Sequence, residues 1–235
     1  MKILILGGTG SIGSAVTAEL VTQGHEVTGL ARSVTSGQKL MDLGANPHSG
    51  DLRTPRSWAA PLAQAEAVIQ LATTFDTDMA EVDAAAMDAI RAEARSRTRP
   101  LRLIYTGGCW LYGQTGDRTA SEVSPKRPIS AFAWMQDTAE VLLADTHLSC
   151  CVIHPAMVYH EEGGGVFSRL LQQASRDIPF EIWGSLNTRW PLVHRGDLAR
   201  AYRLLLEQAD LTGNFNVVAQ SGVPVRDIVN EIIRR

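Results

Sequence analysis

Ile3-Leu4-Ile5-Leu6-Gly7-Gly8-Thr9-Gly10-Ser11-Ile12-Gly13 is the stretch on which the fold turns. The apolar run from Ile3 to Leu6 suits a strand buried on both faces of a parallel sheet. It passes straight into a glycine turn and then into a helical pattern over residues 11–23. Strand, glycine turn and helix in that order aim backbone N–H groups and a helix N-terminus at a phosphate. Gly7 suits the sharp turn off the strand, Gly10 leaves room for a pyrophosphate, and Gly13 lets the helix pack close to the sheet. Gly7, Thr9, Gly10, Ser11, Ile12 and Gly13 are therefore expected to hold a dinucleotide.

Outward from this turn, short apolar runs alternate with longer helical patterns. Strands are expected at residues 2–6, 26–30, 46–48, 67–71, 102–106, 150–154 and 214–218. Helices are expected at 11–23, 36–43, 55–63, 78–97, 129–145, 165–175, 197–207 and 225–233. Gly24 and Gly44 stand where helix C-terminal glycines belong, and Thr54-Pro55 fits a cap followed by proline. The alternation implies an α/β fold with a doubly wound parallel sheet. Residues 113–128 are polar and rich in turn formers, as befits a surface loop near the strand ends. From about Ala156 to Leu192 the rhythm breaks, with Gly163-Gly164-Gly165, Pro179, Pro191 and two of the five tryptophans. This segment and the final helix read as a small substrate lobe, and a chain ending at Arg234-Arg235 implies that the lobe is small or leans on a partner.

Composition narrows the function classes. The 22 basic against 25 acidic residues leave a net charge of −3. That balance offers no long-range attraction for nucleic acid or an anionic membrane. No apolar run reaches the roughly 18 residues of a membrane span. Cys109, Cys150 and Cys151 lack metal-ligand spacing, and no metal site is expected. A cytoplasmic, reduced protein is the plain inference.

Further stretches resemble the extended and atypical short-chain dehydrogenase/reductase superfamily, of the NAD(P)-dependent epimerase/dehydratase kind. The glycine turn matches its Gly-x-x-Gly-x-x-Gly. Gly50-Asp51-Leu52 resembles the motif after the third strand, and Val68-Ile69-Gln70-Leu71-Ala72 resembles the fourth-strand Val-Ile-His-Leu-Ala. Tyr105 to Gly113, His154-Pro155-Ala156-Met157-Val158-Tyr159, Trp190 to Ala199 and Gly213 to Val217 resemble later family motifs in the right order. The resemblance implies a Rossmann domain over residues 1–155 and 193–218, with a small substrate-binding lobe over 156–192 and 219–235. It also implies a small-molecule substrate and a homodimer through the helices at 78–97 and 129–145. Asp51 and Leu52 would meet the adenine, Asp51 alternatively forming a local turn. Leu71, Ala72, Thr73, Pro155 and Val158 would line the coenzyme.

NAD-selective sites of this type usually carry a carboxylate after the second strand. Here Leu30-Ala31-Arg32-Ser33 has none. Arg32 is a permanently charged donor fork suited to a phosphate, and Ser33 adds a hydroxyl. NADP is therefore expected over NAD.

The family's chemistry rests on a Tyr, a Lys four residues later and a Ser or Thr. With Glu140 as the anchor of the register, Phe132 stands at the Tyr position and Gln136 at the Lys position. Phe has no transferable proton, and Gln has no charge to lower a phenol's pKa. Thr106, at a strand end, and Tyr112 are the candidates for a substitute; Tyr159, His160, His194 and Cys109 are weaker ones. For His194 the structural role is expected, with Asp197 capping the following helix. Trp110, Trp134, Trp183 and Trp190 are either pocket or core residues. Three readings remain: an oxidoreductase or epimerase/dehydratase-like enzyme with a non-standard site, acting on a small carbonyl, alcohol or sugar-type substrate; a catalytically silent NADP(H)-binding redox sensor; or a chain whose glycine turn no longer binds a nucleotide.

Overall fold

A computed structural model describes residues 1–163, 165–176 and 178–234. Gly164 of the triple glycine and Arg235 of the chain end lie outside the described residues. The strands are β1 (Lys2–Leu6), β2 (Glu26–Ala31), β3 (Asn46–Ser49), β4 (Ala67–Gln70), β5 (Leu101–Thr106), β6 (Leu148–Pro155), β7 (Met157–Tyr159), β8 (Arg189–His194), β9 (Gly213–Val217) and β10 (Gln220–Pro224). The α-helices are α1 (Ser11–Thr22), α2 (Val34–Asp42), α3 (Met79–Arg95), α4 (Ala133–Ala144), α5 (Ser168–Ser175), α6 (Arg195–Glu207) and α7 (Val225–Arg234).

Seven strands form one sheet in the order β3-β2-β1-β4-β5-β6-β9, and every pairing in it is parallel. This is a doubly wound Rossmann order with its reversal between β1 and β4. Alternate side chains of β1 explain the two-sided burial. Ile3 and Ile5 join Val16 and Leu20 of α1 and Tyr202 of α6 on one face. Leu4 and Leu6 join Met87 and Ile90 of α3 and Leu142 of α4 on the other.

A second sheet has three strands in the order β10-β8-β7. A single residue, Ala156, separates β6 from β7, so the chain passes from one sheet to the other within one step. Leu170, Trp190, Leu192, Val225, Ile228 and Val229 form a separate core under α5 and α7.

Two polar devices fasten the large sheet. Arg102 of β5 is 3 % exposed. It donates to the carbonyl oxygens of Leu205, Gln208, Leu211 and Ser149 and to Ser149 Oγ. Its charge thus sits at the C-terminal, negative end of α6. At the sheet border, Glu122 accepts the Asn216 N–H of β9 at 2.9 Å.

Three expectations need correction. Residues 55–63 form no α-helix but two short 3-10 turns, Pro55–Ser57 and Ala60–Gln64. Pro61 lacks the N–H that an α-helix from Pro55 would need there. The α4 helix starts at Ala133, after a 3-10 turn at Ser130–Phe132, because Phe132 has left helical geometry at φ −122° and ψ 8°. At α6 the cap is His194, whose Nδ1 accepts the Gly196 N–H at 3.2 Å, while Asp197 lies in the first turn.

Candidate functional site

The glycine turn is built by close contacts that only glycine allows. Gly7 has φ +87°, and a Cβ there would stand 2.7 Å from the Ala72 backbone nitrogen. The exits of β1 and β4 therefore touch main chain to main chain. A Cβ on Gly13 would stand 2.0 Å from the Gly7 carbonyl oxygen, so this glycine lets α1 start against the turn. A Cβ on Gly10 would meet only the Gly7 oxygen, at 3.4 Å, and the space before it is open. No side chain caps the N-terminus of α1, and its first turn carries no acid. Its first N–H groups, with Thr9, Ser11 and Ile12 around them, are left for an anion. These features fit a dinucleotide's diphosphate. Gly8 was not singled out by the sequence; its carbonyl accepts the Thr17 hydroxyl at 3.1 Å, and a Cβ would meet that hydroxyl at 2.9 Å.

Leu71 and Ala72 leave β4 beside Gly7. Ala72 N–H donates to Gln70 Oε1 at 3.1 Å, and Gln70 Nε2 donates to Asp83 Oδ1 at 2.9 Å. Tyr105 OH donates to Asp83 Oδ2 at 2.9 Å. This buried set, invisible to motif reading, fixes the Ala72 main chain from below. Burial pushes the Asp83 carboxyl above its ordinary range and the Tyr105 phenol well above its own. Thr73 and Thr74 bond locally, Thr73 Oγ1 accepting the Phe75 N–H and Thr74 Oγ1 reaching Asp78 Oδ1. Pro155 ends β6, and Val158 packs against the first core. Asp51 is exposed and its Oδ1 accepts the Arg53 N–H at 2.9 Å, a local turn, while Leu52 rests on the second core.

Arg32 is exposed and, among the described residues, has no hydrogen-bond or ion-pair partner. Ser33 caps α2: its Oγ accepts the Ser36 N–H at 3.1 Å, and Ser36 Oγ accepts the Ser33 N–H at 3.0 Å.

The two catalytic candidates are both engaged. Thr106 Oγ1 donates to the Gln70 carbonyl at 2.6 Å, so the Tyr202 hydroxyl, 2.7 Å away, must donate to it. Tyr112 OH donates to Asn216 Oδ1 at 2.7 Å, its ring lies edge-on to His154, and burial raises its phenol. Burial also pushes the Cys109 thiol up to about 11, leaving it unreactive near neutral pH. The tryptophans divide into separate places. Trp110 meets Phe132 with ring centroids 6.0 Å apart, whereas Trp183 pairs with Trp190 at the second sheet. Gln136 Nε2 donates to Glu140 Oε1. His160 faces the glycine turn, its Nε2 lying 3.3 Å from Ser11 Oγ. Among the described residues, no group of three or more His, Cys, Asp or Glu is placed to hold a metal ion. Nor is any helix there long and apolar enough to cross a membrane.

The model of the NAD dependent epimerase/dehydratase family matches residues 3–218. The chain belongs to that family. Its nucleotide-binding Rossmann architecture is therefore that of the NAD(P)-binding epimerases and dehydratases. This epimerase/dehydratase-family chain is 28 % identical to the uncharacterized protein C2A9.02 of Schizosaccharomyces pombe, over all of this chain and 80 % of that one. It is 23 % identical to the Dictyostelium discoideum sterol-4-alpha-carboxylate 3-dehydrogenase, decarboxylating, over all of this chain and 76 % of that one. In fold it is similar to the Thermotoga maritima UDP-glucose 4-epimerase crystallised with UDP-glucose. The TM-score is 0.85 at 19 % identity, covering all of this chain and 82 % of that one.

Proposed function

We propose that the chain binds NADP(H) and acts as an oxidoreductase or epimerase/dehydratase-like enzyme on a small carbonyl, alcohol or sugar-type substrate, with a non-standard catalytic site. The observation that carries this reading is the glycine cradle, where Gly7, Gly10 and Gly13 leave open main chain at an uncapped helix N-terminus. Thr9, Ser11 and Ile12 complete that cradle; Leu71, Ala72, Thr73, Pro155 and Val158 line the coenzyme, and Asp51 with Leu52 the adenine. Bound there, the coenzyme would supply hydride transfer.

The choice of NADP over NAD rests on Arg32. It follows β2, stands free beside the positive end of α2, and no carboxylate there would repel a 2′-phosphate. The solved neighbour from Thermus thermophilus, a UDP-glucose 4-epimerase, holds NAD. Fluorescence titration decides the matter: NADPH is expected to bind tighter than NADH, and Arg32→Ala to narrow the gap. Equal binding of the two by the unchanged chain overturns the Arg32 assignment.

Phe132 and Gln136 at the family's Tyr and Lys positions favour a second reading, a silent NADP(H) sensor. With both hydroxyls engaged, proton transfer would need Thr106 to exchange partners or a water to stand in, and Tyr112 to leave Asn216. NADPH oxidation screened against aldehydes, ketones and nucleotide-sugars separates the readings. Turnover by the unchanged chain dismisses the sensor; tight binding without turnover, and none gained by Phe132→Tyr with Gln136→Lys, dismisses the enzyme. Three free cysteines support a cytoplasmic setting, and a homodimer through α3 and α4 accords with the family resemblance.

A further inference from the structure

We propose that His160, delivered by the second sheet, is a ligand of the coenzyme diphosphate and ties the substrate lobe to the glycine turn. The proposal rests on the coenzyme reading above. His160 follows β7 directly, yet its Nε2 lies 3.3 Å from the hydroxyl of Ser11, the first residue of α1. Its other ring nitrogen, Nδ1, is buried and has no partner among the described residues. A neutral imidazole carries one donor and one acceptor nitrogen. Nε2, the nitrogen that faces the Ser11 hydroxyl, is the one that can donate at the cradle. That places an N–H at the mouth of the cradle, beside the uncapped amides of α1 and the open space before Gly10. A donor in that position serves an anion.

The turn after His160 is electrostatically prepared for this role. Glu161 and Glu162, whose charges would oppose a diphosphate, are drawn aside: Glu161 pairs with His194 at 3.1 Å and Glu162 with Arg195 at 3.0 Å. Both partners stand at the start of α6. The diphosphate would then be gripped from two sides, by the main chain of the large sheet and by a side chain from the small one. Coenzyme binding would thereby hold the lobe in register with the sheet.

Calorimetric titration with NADPH and NADH tests this on the full chain, using the tighter of the two. His160→Leu is expected to weaken binding roughly tenfold, the worth of one hydrogen bond to a charged group. His160→Gln, whose amide nitrogen reaches about as far as imidazole Nε2, is expected to keep binding within about threefold. The melting temperature of the coenzyme-free protein should be the same for the Gln variant and the unchanged chain. Binding by the Leu variant as tight as by the unchanged chain overturns the proposal, and so does equal weakening in both variants, the mark of a merely structural residue. An unchanged chain that binds neither nucleotide overturns the coenzyme reading as well.

Discussion

Gln70 and Asp83 are joined side chain to side chain at 2.9 Å, linking the last residue of β4 to the second turn of α3. The same Asp83 carboxylate accepts from Tyr105, and the same Gln70 amide holds Ala72 against Gly7. A carboxyl group 6 % exposed thereby sets the floor of the proposed coenzyme site.

Asp83 carries a pH signature. Burial raises its folded-state value above the unfolded 3.8, outweighing the hydrogen bonds from Gln70 and Tyr105 that lower it. A raised carboxyl favours folding while protonated, so its contribution is whole below 3.8 and fades as pH rises through the folded value. Asp83→Asn cannot ionise. Urea unfolding between about pH 4 and pH 7 should show the variant gaining on the unchanged chain as pH rises; a constant difference contradicts the assignment. Asp83→Ala strands two buried donors and should cost about 2–3 kcal/mol near pH 4, the deficit shrinking as pH rises.

Asp145 behaves in the opposite sense. The Arg91 guanidinium, 2.8 Å away, holds its carboxyl down at about 2. A depressed carboxyl stabilises the fold above the unfolded 3.8, and that stability is lost as pH falls through about 2. Asp145→Asn should cost about 2 kcal/mol at neutral pH. Acid titration followed by circular dichroism should show the deficit closing below pH 3.8.

Gly13→Ala is predicted to lower coenzyme affinity at least about tenfold, because its Cβ would lie 2.0 Å from the Gly7 carbonyl and force α1 off the turn. Gly24→Ala is the matched control. Gly24 has φ +81° with open space around it, so the change should cost about 1 kcal/mol of stability and leave affinity unchanged. Fluorescence titration beside thermal melting reads both.

Arg102→Lys should destabilise by about 2–4 kcal/mol despite keeping the charge. A single ammonium cannot span the four carbonyls that the guanidinium reaches on β6, α6 and the segment after it. A loss below about 0.5 kcal/mol in urea melts would show that the charge alone matters.

The parallel sheet was legible because its strands are apolar runs of two-sided burial, and the glycine turn because its contacts are main chain to main chain. The second sheet was not. β8 contains Pro191, and β10 is Gln-Ser-Gly-Val-Pro, compositions that read as loop because proline and glycine belong to strand edges. The start of α2 at Val34 was signalled by Ser33 and Ser36 three residues apart, a weak form of the capping box. His194 as a cap left no such signal, since imidazole is rare there. The set of Gln70, Asp83, Tyr105, Thr106 and Tyr202 is joined by hydrogen bonds spanning up to 96 positions, from Thr106 to Tyr202; no local pattern encodes a hydrogen bond of that reach. The Tyr112 and Thr106 hydroxyls stood out as free chemistry in the sequence, but their partners Asn216 and Tyr202 lie about a hundred residues away.

The contact between Glu122 and the Asn216 amide closes the β9 border of the large sheet. An unguarded strand border is a template for fibrils and swapped partners. Here the outermost strand already spends an amide on a carboxylate from its own loop. Two molecules therefore cannot zip into one continuous ribbon at that border without first peeling the loop away.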